Sequence, residues 1–183
     1  MSSDGAAAGR LTHAVYPGSF DPPTRGHLDV MRRAAVIFNR LTVAVVVNPQ
    51  KREPLFGLDE RKRMISESVA RLPNVDVVEF RGLLADFVKR VGVGVIVKGL
   101  RVVSDFESEM SAALMNRSLS GVDTIFLPSD PRFSFISSSL VKEVFFLGGD
   151  ITQYVPDPVL RTMSAKRATR QPVPNPAAPE EKR

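Results

Sequence analysis

The chain has 183 residues, of which 43% are hydrophobic and 25% are charged, as is typical of one soluble globular domain. It contains no cysteine, which excludes disulfides and thiolate metal sites, and no apolar run approaches the roughly 20 residues of a membrane span. The net charge is +5, but Ser164 to Arg183 holds five basic and two acidic residues, so this tail supplies most of the excess and nucleic-acid binding is not favoured.

The elements predicted in chain order alternate between strands and helices. Short β-branched runs predict buried strands, and apolar residues at helical spacing predict helices. The predicted strands are 13–16, 41–48, 75–80, 93–99 and 123–128. The predicted helices are 26–38, 59–72, 83–91, 105–119, 140–147 and 158–166. This alternation predicts an α/β fold, a doubly wound, parallel, five-stranded sheet with helices on both faces and further helices at the C-terminal end.

The two ends of the chain differ in composition from its body. Residues 1–11 are small and polar, and residues 168–183 are rich in proline and poor in large apolar residues. We therefore expect a flexible N-terminus, a domain over 12–167 and a disordered tail over 168–183. The N-terminal segment lacks a basic region followed by an apolar run, so we expect no secretory signal, no membrane association and a cytoplasmic location.

Polar and basic residues cluster where the predicted strands end. In folds of this class, ligands bind beyond the carboxyl ends of the strands. The residues at those ends are Ser19, Phe20 and His27 after the first strand, Lys51 after the second, Leu84 after the third, Lys98, Gly99, Leu100 and Arg101 at the fourth, and 129–139 after the fifth. Three cations, one histidine and a run of serines are thus predicted to meet along one rim of the sheet.

Two of these segments lie at predicted helix N-termini, where unpaired N–H groups favour anions. Ser137, Ser138 and Ser139 precede the helix predicted from Leu140, and we favour contact with an anion or nucleotide over the alternative that Ser139 merely caps the helix. His27 lies in the first turn of its helix. Either it is a hydrogen-bonded residue of the helix start or it contacts a phosphate, and we favour the phosphate.

Other roles are less favoured by the sequence. A general-base role for His27 lacks a carboxylate at an obvious spacing to orient the ring, and Lys51 is equally compatible with a solvated surface position. The motifs GxxxxGK[ST], GxGxxG, GxSxG and HExxH are all absent.

Several motifs together resemble a known family. The loop "PGSFDPPTRGH" (17–27) resembles the TxGH version of the HxGH loop of nucleotidylyltransferases, with Thr24 in the first-histidine position. With "VKGLR" (97–101), "DFESEM" (105–110), "MNR" (115–117) and "SFISSSLVKEV" (134–144), it resembles the bacterial phosphopantetheine adenylyltransferases over about residues 13–167. This resemblance implies the Rossmann-like nucleotidylyltransferase fold and a reversible transfer from ATP to 4′-phosphopantetheine that gives dephospho-coenzyme A and pyrophosphate. It also implies Mg²⁺ as cofactor and a homo-oligomer, usually a hexamer.

The resemblance also implies roles for individual residues. As catalytic residues it implies His27, Ser19, Lys51 and Arg101. As ATP-binding residues it implies Ser19, Phe20, His27, Gly99, Leu100, Arg101, Glu109, Phe133, Ser134, Phe135, Ile136, Ser137, Ser138 and Ser139. As residues that bind 4′-phosphopantetheine it implies Ser19, Lys51, Leu84 and Lys98. No protein ligand of the metal is implied.

Two rival interpretations remain open at the level of the sequence. The first is another nucleotidylyltransferase, such as one that adenylylates nicotinamide mononucleotide or cytidylylates glycerol phosphate, and it differs in the residues that bind the acceptor. The second is a nucleotide- or RNA-binding module without catalytic activity, which predicts no release of pyrophosphate.

Overall fold

The computed structural model describes residues 13–47, 53–101 and 103–169. Its strands are β1 (His13–Gly18), β2 (Arg40–Val47), β3 (Val75–Arg81), β4 (Val95–Leu100) and β5 (Asp123–Pro128). Its helices are α1 (Arg25–Ile37), α2 (Leu58–Ser68), α3 (Leu84–Val91), α4 (Val103–Ser120), α5 (Ser138–Phe146) and α6 (Asp157–Thr169). Lys51 and the predicted flexible N-terminus over 1–11 lie outside the described residues, as does nearly all of the predicted tail.

The five strands form one parallel sheet in the order β3-β2-β1-β4-β5. From β1, the chain adds β2 and then β3 on one side of the sheet. It then crosses back, so that β4 pairs with the other edge of β1 and β5 follows beyond it. The strand order therefore reverses between β1 and β4, and in open parallel sheets a ligand crevice opens at such a point. The predicted α/β fold with five parallel strands is confirmed.

The central strands are buried on both faces because their side chains alternate between two apolar clusters. Ala14 and Tyr16 of β1 pack with residues of α1 and α2, such as Met31 and Ile65. Val15, between them, points to the other face, where it joins a cluster containing residues of α3. Helices thus cover both faces, as the continuous β-branched runs in the sequence predict.

A third apolar cluster joins the C-terminal helices to the body of the protein. Val141 and Phe145 of α5 and Val159 and Met163 of α6 pack with Met64 of α2. This packing places α5 beside the loop that follows β1, where the Ser138 hydroxyl donates to the Pro22 carbonyl at 2.7 Å.

Most predicted boundaries agree with the structure to within two or three residues. The main exception is α2, which ends at Ser68 and not at Leu72, because the chain turns before Pro73 and the Leu72 N–H donates to the Val69 carbonyl at 2.8 Å. Among the described residues, no helix combines the length and the hydrophobicity that crossing a membrane requires.

Candidate active site

A cavity of about 580 Å³ opens at the carboxyl ends of β1 and β4, where the strand order reverses. Its wall includes most of the residues that the sequence singles out. These are Ser19, Phe20, His27, Leu84, Lys98, Gly99, Arg101, Glu109, Ile136, Ser137, Ser138 and Ser139. Residues more than a hundred positions apart in the sequence therefore meet in one concave site, at the rim where they are expected.

Four residues of the predicted nucleotide site lie beside the cavity and not on its wall: Leu100, Phe133, Ser134 and Phe135. The Ser134 hydroxyl donates to the Pro131 carbonyl at 3.0 Å, and the Phe135 ring stands edge-on to Tyr154, with ring centroids 5.8 Å apart. Phe133, Ser134 and Phe135 shape the turn before α5, whereas Leu100 is the last residue of β4. The predicted role of Lys51 falls outside the described residues.

The loop after β1 has an unusual backbone at Phe20, which is buried and has a φ of +48°. A non-glycine residue in this region is strained and persists only where surrounding contacts hold it. The Phe20 ring lies over Gly18, where an added Cβ would come within 2.7 Å of the ring, so only glycine fits there. The same ring stands edge-on to His27 and to Tyr16, with ring centroids 5.2 and 5.4 Å away. These contacts fix one side of the cavity.

Thr24 orients His27 at the start of α1. The Thr24 N–H donates to Nδ1 of His27 at 3.0 Å, and the His27 N–H donates back to the Thr24 hydroxyl at 3.4 Å. This is a capping box with histidine in the position usually held by glutamate or glutamine. Because Nδ1 accepts a hydrogen bond from a backbone N–H, the ring proton of the neutral imidazole belongs on Nε2, which leaves Nε2 as a donor.

His27 is neutral over the physiological range. Burial, and to a smaller extent the positive charge of Arg101, together lower the pKa of His27 from 6.5 to about 4. A neutral imidazole with Nδ1 occupied offers one N–H to a ligand oxygen and does not act as a strong base.

This low pKa predicts that the protein loses stability in mild acid. The unfolded chain takes up a proton on His27 near pH 6.5 and the folded chain does so only near pH 4, so the unfolded state binds more protons as the pH falls between these values. We expect the His27 contribution to cost about 2 kcal/mol at pH 5 relative to pH 7.5. Urea unfolding at both pH values measures this, and His27→Gln should reduce the pH dependence by that amount. If the stability of the parent and that of His27→Gln depended equally on pH, the low pKa of His27 would be contradicted.

The three serines before and within α5 have different partners. Ser137 is the N-cap, and its hydroxyl accepts from the Leu140 N–H at 3.1 Å. The alternative in which Ser139 caps the helix is therefore wrong, because α5 begins two residues earlier than predicted. Ser139 lies exposed in the first turn of α5 on the cavity wall, where a hydroxyl suits an anion at a helix N-terminus.

Basic side chains at the carboxyl end of β4 line one side of the cavity. Lys98 forms an ion pair with Glu109 of α4, with 3.1 Å between Nζ and Oε2. Arg101 donates to the Ile136 carbonyl at 3.1 Å and so links the end of β4 to the segment before α5. Between them, Gly99 keeps the wall open, because an added Cβ would come within 3.0 Å of Val30. The family resemblance implies that Lys98 binds 4′-phosphopantetheine and that Glu109 binds ATP, whereas in the structure the two side chains form an ion pair with each other.

Sequence reasoning missed three buried polar residues at this site. Tyr16 lines the cavity, and burial raises the pKa of its phenol, so the hydroxyl stays protonated. Asp21 and Arg61 are both buried and hold the surrounding loops through hydrogen bonds to the backbone. In the sequence, Arg61 belongs to the charged run "DERKR", which looks like a solvated helix face.

The residues that the structure describes do not form a protein cage for a metal ion. Among the described residues, no group of three or more histidine or acidic side chains converges. The described wall of the cavity carries one carboxylate, Glu109, which is paired with Lys98. Mg²⁺ is commonly held by one or two carboxylates together with ligand phosphates and waters. This donor set fits only a metal ion held mainly by the ligand's own phosphates.

Comparison with known proteins identifies the family. The model of the cytidylyltransferase-like family matches residues 15–144. The phosphopantetheine adenylyltransferase of Heliobacterium modesticaldum (strain ATCC 51547 / Ice1) is 52% identical over 157 residues, which cover 85% of this chain and 93% of that protein.

Solved structures share the fold at low sequence identity. A bifunctional NMN adenylyltransferase/ADP ribose pyrophosphatase from Francisella tularensis matches with a TM-score of 0.69 and 16% identity, over 87% of this chain and 51% of that chain. The same protein complexed with AMP and an Mn ion matches with a TM-score of 0.64 and 18% identity. The chain thus spans about half the length of this bifunctional protein. By sequence and by fold, the chain belongs to the cytidylyltransferase-like nucleotidylyltransferases and, among them, to the phosphopantetheine adenylyltransferase family.

Proposed function

We propose that the protein transfers the AMP moiety of ATP to 4′-phosphopantetheine, with dephospho-coenzyme A and pyrophosphate as products. One observation carries the proposal: a single cavity gathers the first turn of α1 with His27, the cations Lys98 and Arg101, and the N-terminus of α5. Two helix starts and two cations on one wall suit a pair of phosphorylated reactants. The relative from Heliobacterium modesticaldum supports 4′-phosphopantetheine as the acceptor.

The reaction needs no nucleophile from the protein. The phosphate monoester of the acceptor is largely dianionic at neutral pH, and one of its oxygens can attack the α-phosphorus of ATP directly. A bond forms between that oxygen and the α-phosphorus, and the bond from the α-phosphorus to the bridging oxygen of pyrophosphate breaks. The protein must align the two anions and stabilise the charge that develops at the α-phosphate.

The described residues divide this work between them. Nε2 of His27 donates to the α-phosphate, where negative charge grows in the transition state, and the Ser19 hydroxyl contacts the same phosphate or that of the acceptor. Arg101 and the serines of α5 hold the pyrophosphate portion of ATP. Lys98 neutralises the acceptor phosphate, and Leu84 provides an apolar wall for the pantetheine chain. In this assignment, Lys98 gives up part of its ion pair with Glu109 when it contacts the acceptor phosphate.

Mg²⁺ is proposed as a cofactor that arrives with ATP. When bound, it would neutralise charge on the triphosphate, and Glu109 is the residue that would help to hold it, because Glu109 carries the one carboxylate on the described cavity wall. The consumption of ATP supports the expectation of a cytoplasmic enzyme.

A homo-oligomer, expected to be a hexamer, is also proposed. The supporting feature is the outer surface of α4, where Phe106, Leu114, Met115 and Leu119 are 43 to 61% exposed. Apolar residues grouped on one helix favour an interface with a second copy of the chain. Because Glu109 lies on the same helix, such an interface would adjoin the cavity. A monomer mass in sedimentation equilibrium would overturn this proposal.

An acceptor panel tests the proposed reaction. We expect pyrophosphate release with ATP and 4′-phosphopantetheine, with at least about 100-fold lower kcat/KM for nicotinamide mononucleotide, because a site built for one acceptor loses paired contacts with another. Glycerol phosphate with CTP serves as a further control, and EDTA in place of Mg²⁺ tests the metal requirement. Turnover with nicotinamide mononucleotide alone would overturn the assignment, and the absence of any pyrophosphate release would favour a binding module.

A further inference from the structure

Asp21 connects three separate segments around the cavity. It follows Ser19 by two residues and is 7% exposed. Its carboxylate accepts from the N–H groups of Leu55 at 3.0 Å and Phe56 at 2.9 Å, and from Nζ of Lys142 at 2.7 Å. Leu55 and Phe56 belong to the chain that leads from β2 into α2, and Lys142 belongs to α5.

Lys142 brings the serine segment into this arrangement. It lies three residues after Ser139 on α5, with 28% of its side chain exposed, against 10% for Asp21. The hydrogen bond from Ser138 to the Pro22 carbonyl joins the same two segments beside the ion pair. The ion pair therefore anchors the loop that follows β1 to the N-terminal half of α5, and these two segments approach the cavity from different ends of the chain.

Neither Asp21 nor Lys142 belongs to the cavity wall. We propose that the Asp21–Lys142 ion pair is a positioning device that sets the distance between His27 and the serines of α5, so that the α-phosphate and the pyrophosphate portion of ATP are held in line for attack by the acceptor phosphate. This inference rests on the proposed function. It assigns a role to a lysine that lies off the cavity wall and outside the apolar packing of α5.

The physical basis is the cost of a buried carboxylate without its cation. The two backbone N–H donors stay in place when Lys142 is replaced, but the Asp21 carboxylate loses its directly bonded cation, and the Arg61 guanidinium then acts on its charge only from a distance. The loop around Asp21 then relaxes toward water, and Ser19 shifts relative to α5. Misplacement of reacting groups by about 1 Å lowers the rate up to about 100-fold without removing a binding contact.

A graded series at Lys142 tests the inference in the intact enzyme. Lys142→Met keeps the length of the side chain but removes the charge, Lys142→Gln keeps an N–H donor, and Lys142→Arg keeps the cation. We expect kcat to fall about tenfold or more in Lys142→Met, less in Lys142→Gln and least in Lys142→Arg, with KM for ATP and for 4′-phosphopantetheine within about threefold of the parent. Lys142→Gln provides the same test if the Lys142→Met protein does not fold.

Lys62→Met is the matched control. Lys62, with 33% of its side chain exposed, forms an ion pair at 3.1 Å with the exposed Glu79. This variant should keep the parent kcat within about twofold, even if its melting temperature falls as far as that of Lys142→Met. The inference would be overturned if Lys142→Met and Lys142→Gln both kept the parent kcat. It would also be overturned if kcat fell as far in Lys142→Arg as in Lys142→Met. An inactive parent enzyme would overturn the proposed function instead.

Discussion

Replacing His27 with alanine is expected to lower kcat by about 100- to 1,000-fold and to change the affinity for ATP by less than about threefold. Nε2 of His27 is a donor, because Nδ1 accepts from the Thr24 N–H and the ring is neutral. A single preorganised donor directed at charge that develops only in the transition state contributes to kcat and little to ground-state binding. Steady-state kinetics with both substrates, together with calorimetric titration of ATP, measure the two effects separately.

The controls separate catalysis from helix capping. His27→Ala also removes the acceptor for the Thr24 N–H, which should cost about 1 kcal/mol of stability. His27→Gln keeps a capping box in its usual form, so its stability at neutral pH should stay close to that of the parent while kcat falls as in His27→Ala. His13→Ala changes the other histidine, which bonds to Thr42 away from the cavity, and should leave kcat unchanged.

Two outcomes would contradict this role for His27. Parent-like kcat in His27→Gln together with a low kcat in His27→Ala would make His27 a structural cap only. Equal losses in kcat and in ATP affinity would make it an ordinary ground-state contact, since an interaction made equally in both states does not raise kcat.

The fold could be predicted from the sequence because local pattern and burial agree in nearly every element. The run "LTVAVVV" (41–47) is rich in β-branched residues, and it belongs to β2, which pairs with a strand on each side. A doubly wound parallel sheet then places the strand ends on one rim, so His27, Lys98 and Arg101 could be grouped without knowledge of any contact. The exact end of α2 could not be predicted in this way, because periodicity continues beyond the turn that precedes Pro73.

The contacts that hold the site could not be predicted because they depend on tertiary structure. Asp21 and Lys142 are 121 residues apart, and no local pattern pairs them. Arg61 lies among charged residues on a helix whose other charged side chains, such as those of Lys62 and Arg63, are less buried. A residue's type does not reveal that three carbonyl groups surround its guanidinium. The residues that line the cavity can therefore be predicted from the sequence more readily than the buried residues that hold them in place.

Arg61→Met is expected to lower the free energy of unfolding by about 3 to 5 kcal/mol and to reduce kcat as well. Arg61 is 4% exposed, and it donates to the carbonyls of Ser19 at 2.7 Å, Val46 at 3.2 Å and Phe56 at 3.1 Å. Methionine fills a similar volume and leaves all three carbonyl oxygens without this donor, and each unsatisfied buried acceptor costs about 1 to 3 kcal/mol. Because one of these carbonyls belongs to Ser19, the loop after β1 loosens with the core.

Arg63→Met distinguishes this support from a general effect of lost charge. Arg63 lies two residues further along α2 and is exposed, so its replacement should change the stability by less than about 0.5 kcal/mol. Urea unfolding of the two variants compares them directly, and the melting temperature of Arg61→Met should fall by roughly 10 °C for a chain of this size. Arg61→Lys keeps the charge but cannot reach three carbonyls with one ammonium group, so it should lie between Arg61→Met and the parent. Stabilities within about 1 kcal/mol for Arg61→Met and Arg63→Met would show that the three carbonyl groups find other donors, and that the loop carrying Ser19 does not depend on Arg61.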